Sequence, residues 1–389
     1  MLHPTKHGMK KKLSVVVPCY NEEETLFECV NSVLSIADDI LDLELIIVDD
    51  CSSDRSPSIA ASLAGSHPSI KYHRHERNKG KGAALRTGFE LASGDYVAVQ
   101  DSDLEYDPRD LRRLIDPLLE NKADAVFGSR FLTSDAHRVL YFWHSLGNRF
   151  LTLISNMLTD LNLTDMETCY KVFRREIIQG LELKENRFGF EPEIVAKVAQ
   201  LRVRIYEMSI SYFGRTYAEG KKIGARDGMR ALYCILKYNV HKAPLPVQFL
   251  FYALIGGVTA LVNLAIFLGL YSFGAPLVVA TLTAFFLAAG LNYLLSVLMI
   301  FKHRAKWNSS LEVALFVGAV AAIGFLDFAG TSLLLRNGLD PAVAKCIASL
   351  GGLFLNFAAR KWLVFPEPAS PDWKPQLKPN DNDGKLELS

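Results

Sequence analysis

Three carboxylates, Asp101, Asp103 and Glu105, stand where the apolar run Val97–Val99 stops. Such a run reads as a buried strand of a parallel sheet, and polar groups at the C-terminal edge of such a strand sit where open α/β sheets hold their ligands. Asp101 and Asp103, two residues apart and leaving the strand into a loop, can aim oxygens at a common point. Carboxylates so placed repel one another unless a cation lies between them. A hard divalent ion with oxygen ligands, Mg2+ or Mn2+, bridges carboxylates to a substrate phosphate in this way. A solvated acidic turn before Pro108 is the plainer use of the same residues, so the decision rests on what the rest of the chain brings to them.

The flanking segments supply further polar strand ends. Leu13–Val17 is strand-like and ends at Pro18, with Asn21 placed to cap a helix that opens with Glu22-Glu23-Glu24. Leu43–Val48 runs into Asp49-Asp50-Cys51-Ser52-Ser53-Asp54, where a second helix is expected, and Ile70–His73 reads as a third strand. After Asn78-Lys79-Gly80-Lys81-Gly82 a helix is predicted from about Ala83 to Leu91. This βαβαβαβ alternation predicts a parallel sheet covered by helices, with Pro18–Glu22, Asp49-Asp50 and Asp101–Glu105 converging on one edge. Gly80-x-Gly82 is not a dinucleotide fingerprint, because Leu85 occupies the third glycine position and the first β-α turn holds no glycine.

Arg130 follows a strand over Ala125–Gly128, and its fork of donors matches phosphate oxygens, although a surface ion pair is an equally ordinary use. His137–Leu158 is helical and aromatic-rich, either a core helix or one lying on lipid. His144 and Asn148, one turn apart on it, can face one pocket. Phe188–Glu193 opens another helix, and Arg204–Tyr212 reads as a last strand.

In order along the chain, Val17-Pro18-Cys19-Tyr20-Asn21-Glu22-Glu23, Val48–Asp54, Asn78-Lys79-Gly80-x-Gly82-x-Ala84, Asp101-x-Asp103 and Gly128-Ser129-Arg130-Phe131 resemble the signature of family-2 inverting glycosyltransferases, and within it the dolichyl- or polyprenyl-phosphate hexose (mannose or glucose) synthases. The resemblance implies an α/β GT-A fold, Rossmann-like with a mostly parallel sheet, and with it a nucleotide-diphosphate sugar donor, a divalent metal and a lipid-phosphate acceptor. It would set Pro18, Tyr20, Glu22, Asp49, Asp50, Lys79 and Gly82, together with Asp101, around the donor. Asp101 and Asp103, with Glu105 beside them, would take the metal on the diphosphate. Arg130, His144, Asn148, Arg215 and Lys221 would face the acceptor phosphate, with Asp103, Arg130 and Asp165 as the catalytic set. Asp165-Met166-Glu167-Thr168-Cys169-Tyr170-Lys171 resembles the family's D-x-x-x-G-(F/Y)-K stretch, with Cys169 where glycine is usual.

The chain has 389 residues and a net charge of +1, so nothing global points to nucleic acid, and it is 50% hydrophobic with the apolar residues concentrated after Lys242. Six scattered cysteines without a C-x-x-C pair read as reduced packing residues. Met1–Lys12 is basic and only Leu13–Val17 is apolar after it, so no signal peptide is expected. Beyond Lys242, Val247–Phe273, Leu277–Phe301, Leu311–Leu335 and Ala342–Val364 each reach the roughly 20 apolar residues that a span needs. Asn292-Tyr293 with Phe301 recurs about 64 residues on as Asn356-Phe357 with Phe365, and Asn263 recurs as Asp327, so the unit is a two-helix hairpin used twice. This half resembles the GtrA-like membrane domain.

The expected organisation is an N-terminal tail over 1–12, a catalytic domain over 13–220, an interfacial amphipathic helix over 221–243, an all-α domain of four transmembrane helices over 244–366 and a disordered tail over 367–389. Lys302, Arg304 and Lys306, Arg360 and Lys361, and Arg230, Lys237 and Lys242 all fall on one side of these spans, which puts the catalytic domain and the tail in the cytoplasm. The reading is a metal-dependent (Mg2+ or Mn2+), inverting transfer of a hexose from GDP-mannose or UDP-glucose to a polyprenyl phosphate at the bilayer, with oligomeric state left open. Its rivals are a lipid-linked sugar transporter or scaffold acting through the membrane half, and a polysaccharide-elongating transferase, for whose Q-x-x-R-W motif the chain has no match.

Overall fold

The computed structural model describes residues 10–132, 139, 141–214, 224–301 and 309–365. The chain divides into two compact units, one built from the residues up to Thr152 with Leu163–Gly228, the other from Leu153–Asn162 with the residues from Met229 to Ala369.

The first unit is an α/β sandwich. Its elements are β1 (Lys11–Cys19), α1 (Leu26–Leu34), β2 (Leu41–Asp49), α2 (Ser56–Ser66), β3 (Ile70–Arg74), α3 (Lys81–Leu91), β4 (Tyr96–Val99), α4 (Pro108–Leu114), α5 (Asp116–Leu119), β5 (Ala125–Ser129), α6 (Phe142–Thr159, of which the first part belongs here), β6 (Lys171–Arg174), α7 (Arg175–Gln179), α8 (Phe190–Gln200) and β7 (Ile205–Ser209). The seven strands run in the order β3-β2-β1-β4-β6-β5-β7. Pairs β1·β2, β1·β4, β2·β3 and β5·β7 are parallel, as the alternation predicts, whereas β6 is antiparallel to both β4 and β5. Val15, Val16, Val17, Ile46, Ile47, Val97 and Ala98 are wholly buried, which explains why these strands read as unbroken apolar runs rather than alternating ones.

Two local expectations are corrected. Pro18 does not end β1; it sits in the ladder opposite Val48, at the end of the strand where a missing N–H is least costly. Asn21 does not cap α1, which begins at Leu26 after Thr25. It adopts a left-handed backbone with φ 55°, and its Oδ1 accepts from the Ser53 amide at 2.9 Å. Cys51 (φ 65°) and Leu104 (φ 60°) are left-handed as well, so the turns after β1, β2 and β4 each carry a strained residue on the edge where the polar strand ends gather.

The second unit contains most of α9 (Ala225–Asn239) and four long helices, α10 (Leu245–Ser272), α11 (Leu277–Leu295), α12 (Ser309–Arg336) and α13 (Pro341–Ala359). Wide π turns continue α11 over Ser296–Phe301 and α13 over Arg360–Val364. The repeat foreseen in the sequence is thus a repeat of structure. The limits of α12 and α13 are those of α10 and α11 displaced by 64 residues, the two π turns begin at the same offset, and left-handed Gly274 and Gly338 (both φ 82°) occupy the same place in the two hairpins. Three segments among the described residues, Leu245–Ser272, Leu282–Phe301 and Ala314–Arg336, are long and apolar enough to cross a membrane. Leu254, Leu261, Leu268, Phe286, Phe325 and Leu333 on these segments are exposed, as lipid-facing side chains are.

Candidate active site

The C-terminal edge of the sheet opens into a cavity of about 580 Å³, lined among others by Pro18, Tyr20, Glu22, Asp50, Lys81, Asp101, Asp103, Glu105, Arg130, His144, Glu167, Cys169, Glu191 and Tyr212. At one end lie the residues after β1 and β2. Asp50 is fully engaged: its Oδ1 pairs with His75 Nδ1 at 2.7 Å and accepts from the Lys79 amide at 2.9 Å, and its Oδ2 accepts from the Gly80 amide at 2.6 Å. Its observed work is to draw the loop before α3 against β2. Asp49 does not reach the cavity, because it is buried beneath Arg74 Nε at 3.0 Å and its Oδ1 accepts from the Ser52 amide at 2.9 Å.

The same loop shows a residue that sequence reasoning missed. Lys79 is exposed and meets Asp50 only through its backbone; Lys81 points into the cavity, where Nζ lies 2.9 Å from Asp101 Oδ1 and 3.3 Å from Glu191 Oε1. Burial works against its charge, but Asp101 and Glu191 outweigh it and hold the ammonium well above the usual lysine range. Lys81 opens α3, and that helix start turns its side chain into the cavity. A Cβ on Gly80 would run into the backbone oxygen of Asn186, and one on Gly82 into that of Glu185. Both glycines therefore serve the close approach of the loop that carries Arg187, Phe188 and Glu191 to the opposite wall, and Gly82 itself is not part of the lining. Arg86 ties this approach together through the Glu185 carbonyl (2.8 Å) and Asn186 Oδ1 (2.5 Å), while Glu193 accepts from the Lys184 and Glu185 amides.

Of the three acidic residues after β4, Asp101 and Asp103 share the cavity wall, and Glu105 turns toward Tyr212, whose hydroxyl donates to Oε2 at 2.9 Å. Among the described residues no three His, Cys, Asp or Glu side chains converge as a protein-only metal cage. Two aspartates facing a cavity are the donor set that Mg2+ or Mn2+ takes when phosphate oxygens and water complete its shell, and Lys81 on Asp101 marks that spot as one that draws a cation. The donor set fits such an ion.

Arg130 and Asp165 form a bidentate pair, Nε to Oδ2 at 2.6 Å and Nη2 to Oδ1 at 2.7 Å, with both side chains buried. Arg130 also lies over the Tyr212 ring, 5.2 Å from its centroid. Asp165 is absent from the cavity lining and additionally accepts the Arg130 amide at 3.0 Å, so it holds Arg130 by both backbone and side chain. Its own amide donates to Glu207 of β7 at 3.1 Å. His144 lines the cavity; Asn148, one turn on, is buried with Nδ2 unpartnered and does not. Cys169, the departure from the expected glycine, is buried against Asp101, and that burial, reinforced by the Asp101 charge, pushes its thiol well up. Arg215, Lys221 and His137 lie outside the described residues.

Residues 14–181 match Glycosyl transferase family 2, and residues 251–365 match GtrA/DPMS, transmembrane domain. The chain joins a family-2 glycosyltransferase domain to a GtrA/DPMS membrane domain. Over 353 residues this glycosyltransferase is 26% identical to a dolichol-phosphate mannosyltransferase of Pyrococcus furiosus, covering 90% of its own chain and 97% of the relative. It is 28% identical over 215 residues to an undecaprenyl-phosphate 4-deoxy-4-formamido-L-arabinose transferase of Aeromonas hydrophila, covering 54% of its own chain and 63% of that one, so it spans less than two thirds of this second relative. Among solved structures, glucosyl-3-phosphoglycerate synthase from Mycobacterium tuberculosis in complex with Mn2+, uridine-diphosphate and glucosyl-3-phosphoglycerate aligns at a TM-score of 0.47 and 20% identity, covering 59% of this chain and 80% of that one. The glycosyltransferase is an integral membrane protein with three candidate spans in its C-terminal half.

Proposed function

We propose that this glycosyltransferase moves a hexose from a nucleotide-diphosphate sugar to a polyprenyl phosphate at the cytoplasmic face of a membrane, with inversion. The observation that carries the reading is one cavity lined by Asp101, Asp103 and the Asp165-locked guanidinium of Arg130. An acceptor phosphate is already an anion at neutral pH and needs no strong base; it needs a fixed cation that lets it approach a diphosphate. Arg130, held in one orientation by two short hydrogen bonds, supplies that cation. An acceptor oxygen attacks the anomeric carbon from the face opposite the leaving group. The C1–O bond to the acceptor forms as the C1–O bond to the β-phosphate breaks, and the electron pair departs with the nucleoside diphosphate. A divalent ion on Asp101 and Asp103 supplies charge neutralisation of the leaving diphosphate when bound.

The membrane setting supports a lipid acceptor. Phe142, Leu146 and Phe150 expose an apolar stripe on α6, and Met229 and Tyr233 do the same on α9, the pattern of helices that rest in a lipid interface. Under this reading all four helices α10–α13 cross the bilayer, GDP-mannose and UDP-glucose are the leading donors, and the positive loops hold the catalytic unit in the cytoplasm. The test is transfer of radiolabelled sugar into organic-extractable lipid by purified protein given polyprenyl phosphate and Mn2+. Metal-dependent label from one donor, absent in Asp103→Ala protein, is the expected result; no label from any nucleotide sugar, with nucleotide binding intact, would sink it.

A further inference from the structure

Two carboxylates in the cavity stand outside every role assigned so far. Glu191, only 5% exposed, has an Oε2 that is shut off from solvent and meets no hydrogen-bond donor, and Glu167 Oε1 is in the same condition. Among the described residues no other acidic group of the cavity has a buried oxygen left unmet: Asp50 has His75 and the Gly80 amide, Asp101 has Lys81, Glu105 has Tyr212, and Glu22 has Thr25. Leaving a buried polar atom unsatisfied costs about 1–3 kcal/mol, so two such oxygens side by side in a binding cavity point to donors that arrive with a ligand.

Their position says which part of the ligand. Glu191 Oε1 lies 3.3 Å from Lys81 Nζ, and that ammonium lies 2.9 Å from Asp101, so Glu191 is a single lysine away from the leaving-group end. Glu167 comes next. Burial first, and then the charge of Glu191, push its carboxyl up to about 8, while Lys171 and Arg130 act in the opposite sense. The pair thus lines a stretch of the wall that adjoins Asp101 through Lys81 and, by the charge acting on Glu167, Arg130. With the diphosphate assigned to the aspartates and the acceptor to the guanidinium, the part of the ligand left for this stretch is the transferred sugar.

We propose that Glu167 and Glu191 grip the hydroxyl groups of the transferred hexose and so set which sugar is accepted. This rests on the glycosyl-transfer reading above. A hexosyl group offers several O–H donors, whereas the phosphates on either side offer none and are repelled by carboxylates. The stretch is therefore fitted to the sugar and hostile to its neighbours. Glu191 offers its unmet oxygen as an acceptor, and Glu167, which burial pushes toward its acid form, can both accept and donate to a neighbouring hydroxyl. Both side chains are preset. Lys171 Nζ donates to the Met166 and Thr168 carbonyls on either side of Glu167, and Glu191 sits in the first turn of α8, whose Glu193 fastens the preceding loop.

The test is equilibrium binding to the purified full-length protein in nanodiscs with Mn2+, using GDP, GDP-mannose, UDP and UDP-glucose as probes, on wild type, Glu167→Met and Glu191→Gln. Losing one hydrogen bond to the sugar predicts about a tenfold loss of affinity for the nucleotide sugar. Glu167→Met should keep its affinity for the bare nucleoside diphosphate within about threefold, a bound that also serves as the folding control; a variant failing that control is replaced by Glu167→Leu. A deoxyfluoro donor lacking the gripped hydroxyl should bind wild type about tenfold more weakly and lose nothing further in Glu167→Met, the signature of a shared contact. If both variants keep the wild-type preference for nucleotide sugar over nucleoside diphosphate, the pair does not read the sugar. Hexose-dependent binding that is lost in the variants, without any transfer to polyprenyl phosphate, would uphold the pair and overturn the acceptor assignment instead.

Discussion

The two units treat buried polar groups in opposite ways. In the catalytic unit, buried charge meets opposite charge. Arg130 has Asp165, Asp124 has Arg174 and Arg204, and Glu44 collects Lys12, Lys71 and the Ser14 hydroxyl, a set that holds its carboxyl far below the usual range despite burial. In the membrane unit, Arg360 is 6% exposed and has no carboxylate partner among the described residues. Its Nη1 donates to Asn292 Oδ1 at 2.7 Å and Ser296 Oγ at 3.1 Å, and its guanidinium lies over the rings of Tyr252 and Phe316 at 5.2 and 4.7 Å. Asn292 in turn donates to Thr259 at 3.1 Å, so the chain of polar groups runs from the first hairpin to the second. Neutral dipoles and ring faces suffice there because few competing donors exist in an apolar surround.

An unsatisfied atom therefore means different things in the two places. Glu167 and Glu191 border a cavity, and their bare oxygens mark a ligand. Asn356, the counterpart of Asn292 in the second hairpin, also has an unpartnered Oδ1, but the counterpart of Thr259 is Ile323, so the orphan records a mismatch between duplicated halves.

The contrast can be broken most severely at the cavity. Asp101→Ala or Asp103→Ala should lower transfer by about a thousandfold or more, the scale on which enzymes depend on charge neutralisation at a leaving group. Nucleotide-sugar binding that stays Mn2+-dependent in both variants would contradict their placement. Asp165→Asn comes next. It keeps the shape but strips the charge from Arg130's partner, and breaking a buried pair costs about 3–5 kcal/mol. It should lower both the melting temperature and kcat/KM for the acceptor, leaving nucleotide affinity near wild type.

The membrane side gives a smaller and more discriminating pair. Arg360→Met removes two hydrogen bonds and strands Asn292, for a loss of about 2 kcal/mol by thermal unfolding in detergent, whereas Asn356→Leu removes an orphan and should leave stability unchanged or raised. Equal effects from the two would erase the distinction drawn here. The smallest expected effect is a pH dependence. The Glu167 carboxyl is raised to about 8 in the fold, so its contribution is fully present below the ordinary glutamate range near 4.5 and is lost as pH rises through about 8. In metal-free protein, Glu167→Gln should therefore gain stability relative to wild type at pH 9 compared with pH 5; a pH-independent difference would show that Glu167 ionises freely.

Much of this was legible in the sequence, for reasons that can be named. The strands of the first sheet half announce themselves because they are buried on both faces, and the hairpin repeat shows because polar residues inside apolar helices are rare enough to count. β6 was hidden. Lys171-Val172-Phe173-Arg174 is four residues long, abuts a helix and runs against its neighbours, so neither length nor alternation marks it. Within the site, residue type was enough to bring Asp101, Asp103 and Arg130 to the cavity, where the structure places them together. It misled where a side chain has a competing local partner: Asp49 under Arg74, Asp165 on Arg130, and Glu105 on Tyr212. Spacing alone could not choose between Lys79 and Lys81, because the choice depends on which residue opens α3. Nor could it see Glu167 and Glu191, brought together from segments with β6 and α7 between them.

One stacked pair in the membrane unit carries a meaning beyond packing. Phe301 and Phe365, each at the end of its hairpin's π turn, lie face to face with centroids 5.1 Å apart and planes 16° from parallel. They are also each other's counterparts in the 64-residue repeat. A residue that touches its own copy must lie on the operator relating the copies, so the pseudo-twofold axis of this domain passes between these rings. Departures from that symmetry, Arg360 where the first copy has Ser296 foremost, are where the two copies have come to differ.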